Sequence, residues 1–170
     1  MSKSWPFNQI HHTLWRSKRV RSLDDSDHKL LLLWMMTCEH QNALGFFRCP
    51  DQWPAADLQW DVSRVTESRK HLTFVGLIYY DEETEEVYVD QWMRFAVKPA
   101  PKVMQGYRRQ VGDIESDTIR EVVEQDFLNA EDRWTGDAPP APSASRPASD
   151  AIQISPQLAA NLSRKQGTGY

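Results

Sequence analysis

Apolar residues recur along the first hundred positions with a period that changes, and each period predicts an element. Residues 23–38 carry Leu30, Leu31, Leu33, Trp34 and Met35 nearly all round a helical wheel, which predicts a first core helix lying beneath the others. Asp24, Asp25, Ser26 and Asp27 suit its N-terminus through capping and the helix dipole. The apolar GFFR of residues 45–48 reads as a short strand. Asp51 is placed to cap a brief helix, with Pro54 in the first turn, where a missing N–H costs little. Gln59, Trp60 and Asp61 make a tight turn, and Asp61 is placed to cap a second helix over residues 62–74. Val65, Ser68, Arg69, Leu72 and Val75 repeat there at three- and four-residue spacing and face inward. Gly76 offers the left-handed residue that ends many helices. LIYY at 77–80 and VYV at 87–89 read as two half-buried strands around a polar, acidic tip at 81–86.

Strand, helix, turn, helix and hairpin in that order predict an α+β winged helix-turn-helix domain over residues 13–97. Its lead-in, TLWRSKRVRSL, alternates basic with apolar residues, so Trp15, Val20 and Leu23 are expected to dock while the arginines face out. Trp92 and Phe95 are expected to pin the hairpin to the core. Pro99 and Pro101 break the chain, and a helical extension follows over 101–130. There Ile114, Ile119, Val122, Val123 and Phe127 form an apolar stripe, with Ser116 or Asp117 as the cap. A lone helix of this kind is marginal in water, so it has to pack on the winged helix or on another chain. Residues 136–170 read as a disordered Pro/Ala/Ser-rich C-terminal tail containing APPAPSASRP. Its end holds Ile152, Ile154, Leu158 and Leu162, either a peptide that orders on a partner or a terminus without a role.

Composition changes this picture in three places. No apolar stretch approaches the ~18 residues that a membrane span requires. The N-terminus lacks a continuous apolar run of the secretory kind, and two cysteines, Cys38 and Cys49, do not make a disulfide framework. Reduced thiols in a cytoplasm are therefore expected. A net charge of −4 works against non-specific binding to nucleic acid. The charge is uneven, however: Arg16, Lys18, Arg19 and Arg21 cluster early, Arg64, Arg69 and Lys70 lie on the second helix of the pair, and acids gather at the hairpin tip. Local surfaces of this kind decide phosphate contact.

Chemical motifs are sparse. Cys38-x-His40, Cys49 and the pair His11-His12 do not have the spacing of a closed zinc site, so no metal or other cofactor is expected. No phosphate-cradling loop, nucleophile elbow or zinc-protease motif is present, and an enzyme is not expected. The acidic tip reads as a solvated tip and not as paired catalytic carboxylates.

The run VRSLDDSDHKLLLLWMMTCEHQNALGFFRCP, the helix pair and then GLIYYDEETEEVYVDQW resemble the N-terminal winged-helix domain of phage and prophage replication proteins, of the replisome-organiser and origin-binding initiator type. The resemblance spans roughly residues 13–112, and its markers identify a domain type better than a role, since one fold hosts many functions. It implies a protein of the bacterial host cytoplasm that binds double-stranded origin DNA. Such a protein recruits a replicative helicase or helicase loader, through the tail or the helix at 102–129. It leaves self-association into a homo-oligomer open.

In a helix-turn-helix the second helix enters the major groove with its N-terminal residues at base edges. With Val65 and Leu72 inward, Ser63, Glu67 and Lys70 point away from the core, and Arg64, Thr66 and His71 lie on the flanks. Arg64 is the candidate for bidentate contact with guanine, and Ser63 and Thr66 for bases or phosphate. Lys70 is placed for phosphate, and Glu67 for cytosine N4. Arg69, near the inward face, reads as structural. Arg16, Lys18 and Arg19 are either phosphate contacts or a solvated lead-in. The acidic wing disagrees with DNA binding unless it stays clear of phosphate. Two alternatives therefore remain: a winged-helix transcriptional regulator, and a winged-helix protein-interaction module without DNA binding.

Overall fold

A computed structural model describes residue 8 and residues 10–136. A 3-10 turn at His12–Arg16 leads into a single-turn helix α1 (Lys18–Arg21) and then α2 (Ser26–Thr37). Strand β1 (Phe46–Arg48), α3 (Gln52–Leu58), α4 (Val62–Phe74), β2 (Ile78–Tyr80) and β3 (Glu86–Val89) follow. After a second 3-10 turn at Trp92–Phe95 come α5 (Pro101–Gly112) and α6 (Asp117–Thr135). The described chain is thus α+β, with one antiparallel three-stranded sheet in the order β1-β3-β2. Its register places Phe47 opposite Val87 and Tyr79 opposite Tyr88. The tail from 137 on, with Ile152, Ile154, Leu158 and Leu162, lies outside the described residues.

Period-two alternation divides the strands between two cores. Phe47, Ile78, Val87 and Val89 join Leu31, Met35, Val65 and Leu72 on the side of α2–α4. Phe46 and Tyr88 join Ile114, Ile119, Val123 and Phe127 on the other. All four residues of β3 are buried. The sheet was expected to be half-buried; instead both faces are covered, because α6 packs on the face turned away from the helix pair. The Tyr88 hydroxyl donates to the Asp126 carboxylate, which also accepts the Met93 N–H at 3.2 Å. Burial beside that acid pushes the Tyr88 hydroxyl up, so it stays a donor.

The hairpin tip is where α6 begins. Glu86, 8% exposed, accepts the N–H groups of Glu115 at 3.1 Å and Ser116 at 2.7 Å. The Ser116 hydroxyl donates to Asp81 at 2.6 Å and accepts the Ile119 N–H at 3.2 Å, so Ser116 is the cap of α6. Carboxylates suit this position because a helix N-terminus presents unpaired N–H groups and a positive dipole end. A tip expected to be solvated is therefore bound on two sides, with Arg48 holding Glu85 at 2.5 Å as well.

Several local expectations are corrected. The first core helix starts at Ser26, capped by Asp25, whose carboxylate accepts the Asp27 N–H at 2.8 Å. It is not apolar-buried all round: Leu30 is 45% exposed and Leu33 half-buried. Neither Asp51 nor Asp61 makes a side-chain cap bond. Asp51 is already in helical conformation, and its carboxylate turns to Arg69 and Thr66. Trp15 is 55% exposed, and Leu14 packs in its place beside buried Val20 and Leu23. The helical stretch after Pro101 is two helices, not one. Gly76, which ends α4 at φ +70, and Gly45, at φ +85, hold backbone that other residues rarely adopt. A Cβ on Gly45 would fall 2.2 Å from Cγ of Trp92, which closes over it and donates its indole N–H to Ala43 O at 3.1 Å.

Candidate nucleic-acid interface

Helix α4 crosses the domain with α2 and α3 behind it. Its inward residues Val65, Ser68, Arg69 and Leu72 are all buried. Val62, Ser63, Thr66, Glu67 and Lys70 line a shallow concavity on its outward side. Ser63 and Lys70 make no hydrogen bond or ion pair among the described residues, and both are exposed. Glu67 is exposed and lies near His28 of α2. Phe74, at the far end of the helix, is 78% exposed.

The flanking candidates are placed differently from the free side chains that the spacing suggests. Arg64 grips Asp27 of α2 through two bonds, Nε to Oδ2 at 2.5 Å and Nη2 to Oδ1 at 2.7 Å. Its guanidinium carbon sits 4.3 Å from the centre of the Trp60 ring. The hydrogen bonds from Arg64 hold the Asp27 carboxyl below its ordinary range. Thr66 donates its one hydroxyl proton to Asp51 at 2.6 Å or to Val62 O at 3.0 Å. Both are thus held on the protein, and the exposed polar side chains of the concavity without a bond among the described residues are Ser63, Glu67 and Lys70.

Arg69 occupies the structural position that the spacing indicates. It is 3% exposed and holds Asp51 through Nε at 2.7 Å and Glu82 through Nη1 at 2.9 Å. Its guanidinium lies 3.7 Å from the centre of the Tyr80 ring. Burial pulls its pKa down, but the hydrogen bonds it donates to Asp51 and Glu82 outweigh that and keep it charged. Glu82 is the fourth acid of the hairpin tip with a protein partner, after Asp81, Glu85 and Glu86.

The basic lead-in divides. Arg19 donates to Asp90 at 2.6 Å and passes beside Gly76, which puts α1 against the C-terminal end of α4. Arg16, Lys18 and Arg21 are exposed, and their side chains make no hydrogen bond or ion pair among the described residues.

Sequence reasoning missed Asp27, Trp60 and His28. Asp27 read only as a helix-start acid, and nothing in its spacing from Arg64, 37 positions on, marks the pair. His28 of α2 stacks on His71 of α4, ring centres 4.1 Å apart. Its Nδ1 is buried without a hydrogen bond, and burial followed by the charge of His71 lowers its pKa. Cys38 and Cys49 are buried free thiols, both pushed up by that burial. Among the described residues, no group of three or more His, Cys, Asp or Glu is placed to hold a metal ion, and no helix is long and apolar enough to cross a membrane.

No protein-family model, curated protein or solved structure matches the chain.

Proposed function

We propose that the chain is a winged-helix protein that binds double-stranded DNA with α4 in the major groove. One observation carries this reading: α4, the second helix of a tightly turned pair, shows an outward polar face that no other described element covers. The sheet order β1-β3-β2 behind it is compatible with the winged helix. In this arrangement Ser63 and Lys70 meet the duplex at the helix face, and Arg16, Lys18 and Arg21 meet phosphates beside its C-terminal end. The wing does not take part, because all of its acids but the exposed Glu83 are bound to Arg48, Arg69 and the start of α6.

By the resemblance of its residues, the role proposed is initiation of phage or prophage replication: the protein holds origin DNA and recruits a helicase or its loader. A transcriptional regulator shares the same DNA chemistry and differs in target. Titration of labelled random and genomic duplexes with the full chain, at rising salt, tests the binding. Affinity should fall steeply with salt, as counterion release requires. The map of bound genomic sites then separates an origin from promoters. Absence of binding at low salt rejects the DNA reading and favours a protein-interaction module, for which Val62 and Phe74, 43% and 78% exposed on α4, are the favouring observation.

A further inference from the structure

Arg64 donates only part of what it has. A guanidinium carries five N–H groups, and Asp27 takes the one on Nε and one of the two on Nη2. The two protons of Nη1 and the second of Nη2 remain, and the Nη2 proton with the Nη1 proton beside it forms the end-on fork that matches O6 and N7 of guanine. Trp60 covers one flat face of the guanidinium at 4.3 Å and so fixes its plane. The side chain is 49% exposed at the edge of the uncovered face of α4. An ion pair this open to water contributes little to stability, so its consequence is directional: a long side chain with many rotamers is held in one.

We propose that Asp27 is a positioning residue that aims the free fork of Arg64 at the guanine of one G·C pair in the major groove. The inference rests on the DNA-binding reading above and adds to it the base that is read and the residue that orients the reader. It also accounts for an arginine at the mouth of the groove surface being paired with an acid. The opposing account is that Asp27 sequesters Arg64 from DNA. The two differ in sign, since positioning raises discrimination between bases and sequestration lowers affinity for all of them.

The test is selection of bound duplexes from a randomised library by the full chain and by Arg64→Ala, Arg64→Lys, Asp27→Ala and Asp27→Asn, with circular dichroism to verify folding. Asp27→Asn has nearly the same shape as the native residue and can accept through only one oxygen. It therefore reads the same effect if Asp27→Ala does not fold. The wild-type chain should select guanine at one position. Arg64→Ala and Arg64→Lys should lose that preference, by about 5- to 150-fold for a lost bidentate pair. Both Asp27 variants should lose much of it too, while binding to random duplex tightens because an acid has left the surface. A merely structural residue would not move the two readouts in opposite directions. Retained guanine preference in the Asp27 variants, or a preference indifferent to Arg64, overturns the proposal and leaves DNA binding standing. Failure of the wild-type chain to bind any duplex overturns both.

Discussion

Arg69 shows how one side chain ties three elements together. It leaves the inward face of α4, holds Asp51 at the start of α3 and Glu82 at the hairpin tip, and lies on Tyr80 of β2. The Asp51 side chain is 12% exposed and that of Glu82 63%, so Asp51 is the partner that water replaces least well. Asp51→Ala leaves the buried Arg69 with the more exposed Glu82 as its remaining carboxylate partner and Nε without an acceptor, and should destabilise the protein by about 1–3 kcal/mol. Replacing the charges together, with Arg69→Met in the same chain, should recover part of that loss, because an apolar pair carries no desolvation cost. Denaturation midpoints of the two variants check this, and a single variant that costs no more than the double would mean that water already shares the charge. The inward place of Arg69 was legible from its spacing against Val65 and Leu72. Its partner was not: an acid just before a short helix reads as a cap, and nothing local shows that its carboxylate points elsewhere.

Among the elements, α4 was legible in the sequence, since inward spacing, a turn before it and Gly76 after it place it close to its observed span, Val62–Phe74. The hairpin was legible as two strands but not in its surroundings. Six acids and polar residues in a row look solvated, whatever they later contact, and only the return of the chain to the sheet shows that Glu86 and Asp81 receive the first turn of α6. The same return hides the second buried face: Tyr79 and Tyr88 have the β propensity of either a covered or an open sheet. Glu86→Ala should leave the buried N–H of Ser116 unpaired at a cost of about 1–3 kcal/mol. The loss should be local, so amide exchange around Ile114 and Ile119 should speed up while that of Val65 and Leu72 in α4 holds. Equal acceleration in both helices would mean that the docking of α6 and the folding of the helix pair are a single event.

At the scale of the whole molecule, the sheet joins two apolar cores that each need it. The first, between the sheet and α2–α4, contains Phe47, Val87 and Val89; the second, between the sheet and α5–α6, contains Phe46, Tyr88 and Met93. A reading by spacing alone separates residues 13–97 from 101–130 at Pro99 and Pro101, because prolines interrupt elements whether or not the chain beyond them packs back. In the folded chain the helices after the prolines supply Val111, Ile119, Val123, Phe127 and Ala130 to the face that β1 and β3 present. A chain ending at residue 100 would expose Phe46, Tyr88 and Met93 together, a contiguous apolar surface of the kind that draws proteins into association. It should bind a hydrophobic dye, melt with little cooperativity and sediment as aggregates. A chain ending at residue 136 keeps both cores whole, so it should melt as the full chain does and bind duplex DNA with similar affinity. If the shorter chain instead unfolds cooperatively near the temperature of the full one, the second core adds little to the first and the sheet is held by α2–α4 alone. If the longer one loses duplex binding, the residues after 136 belong to the DNA-binding surface, and α4 with the basic lead-in does not suffice.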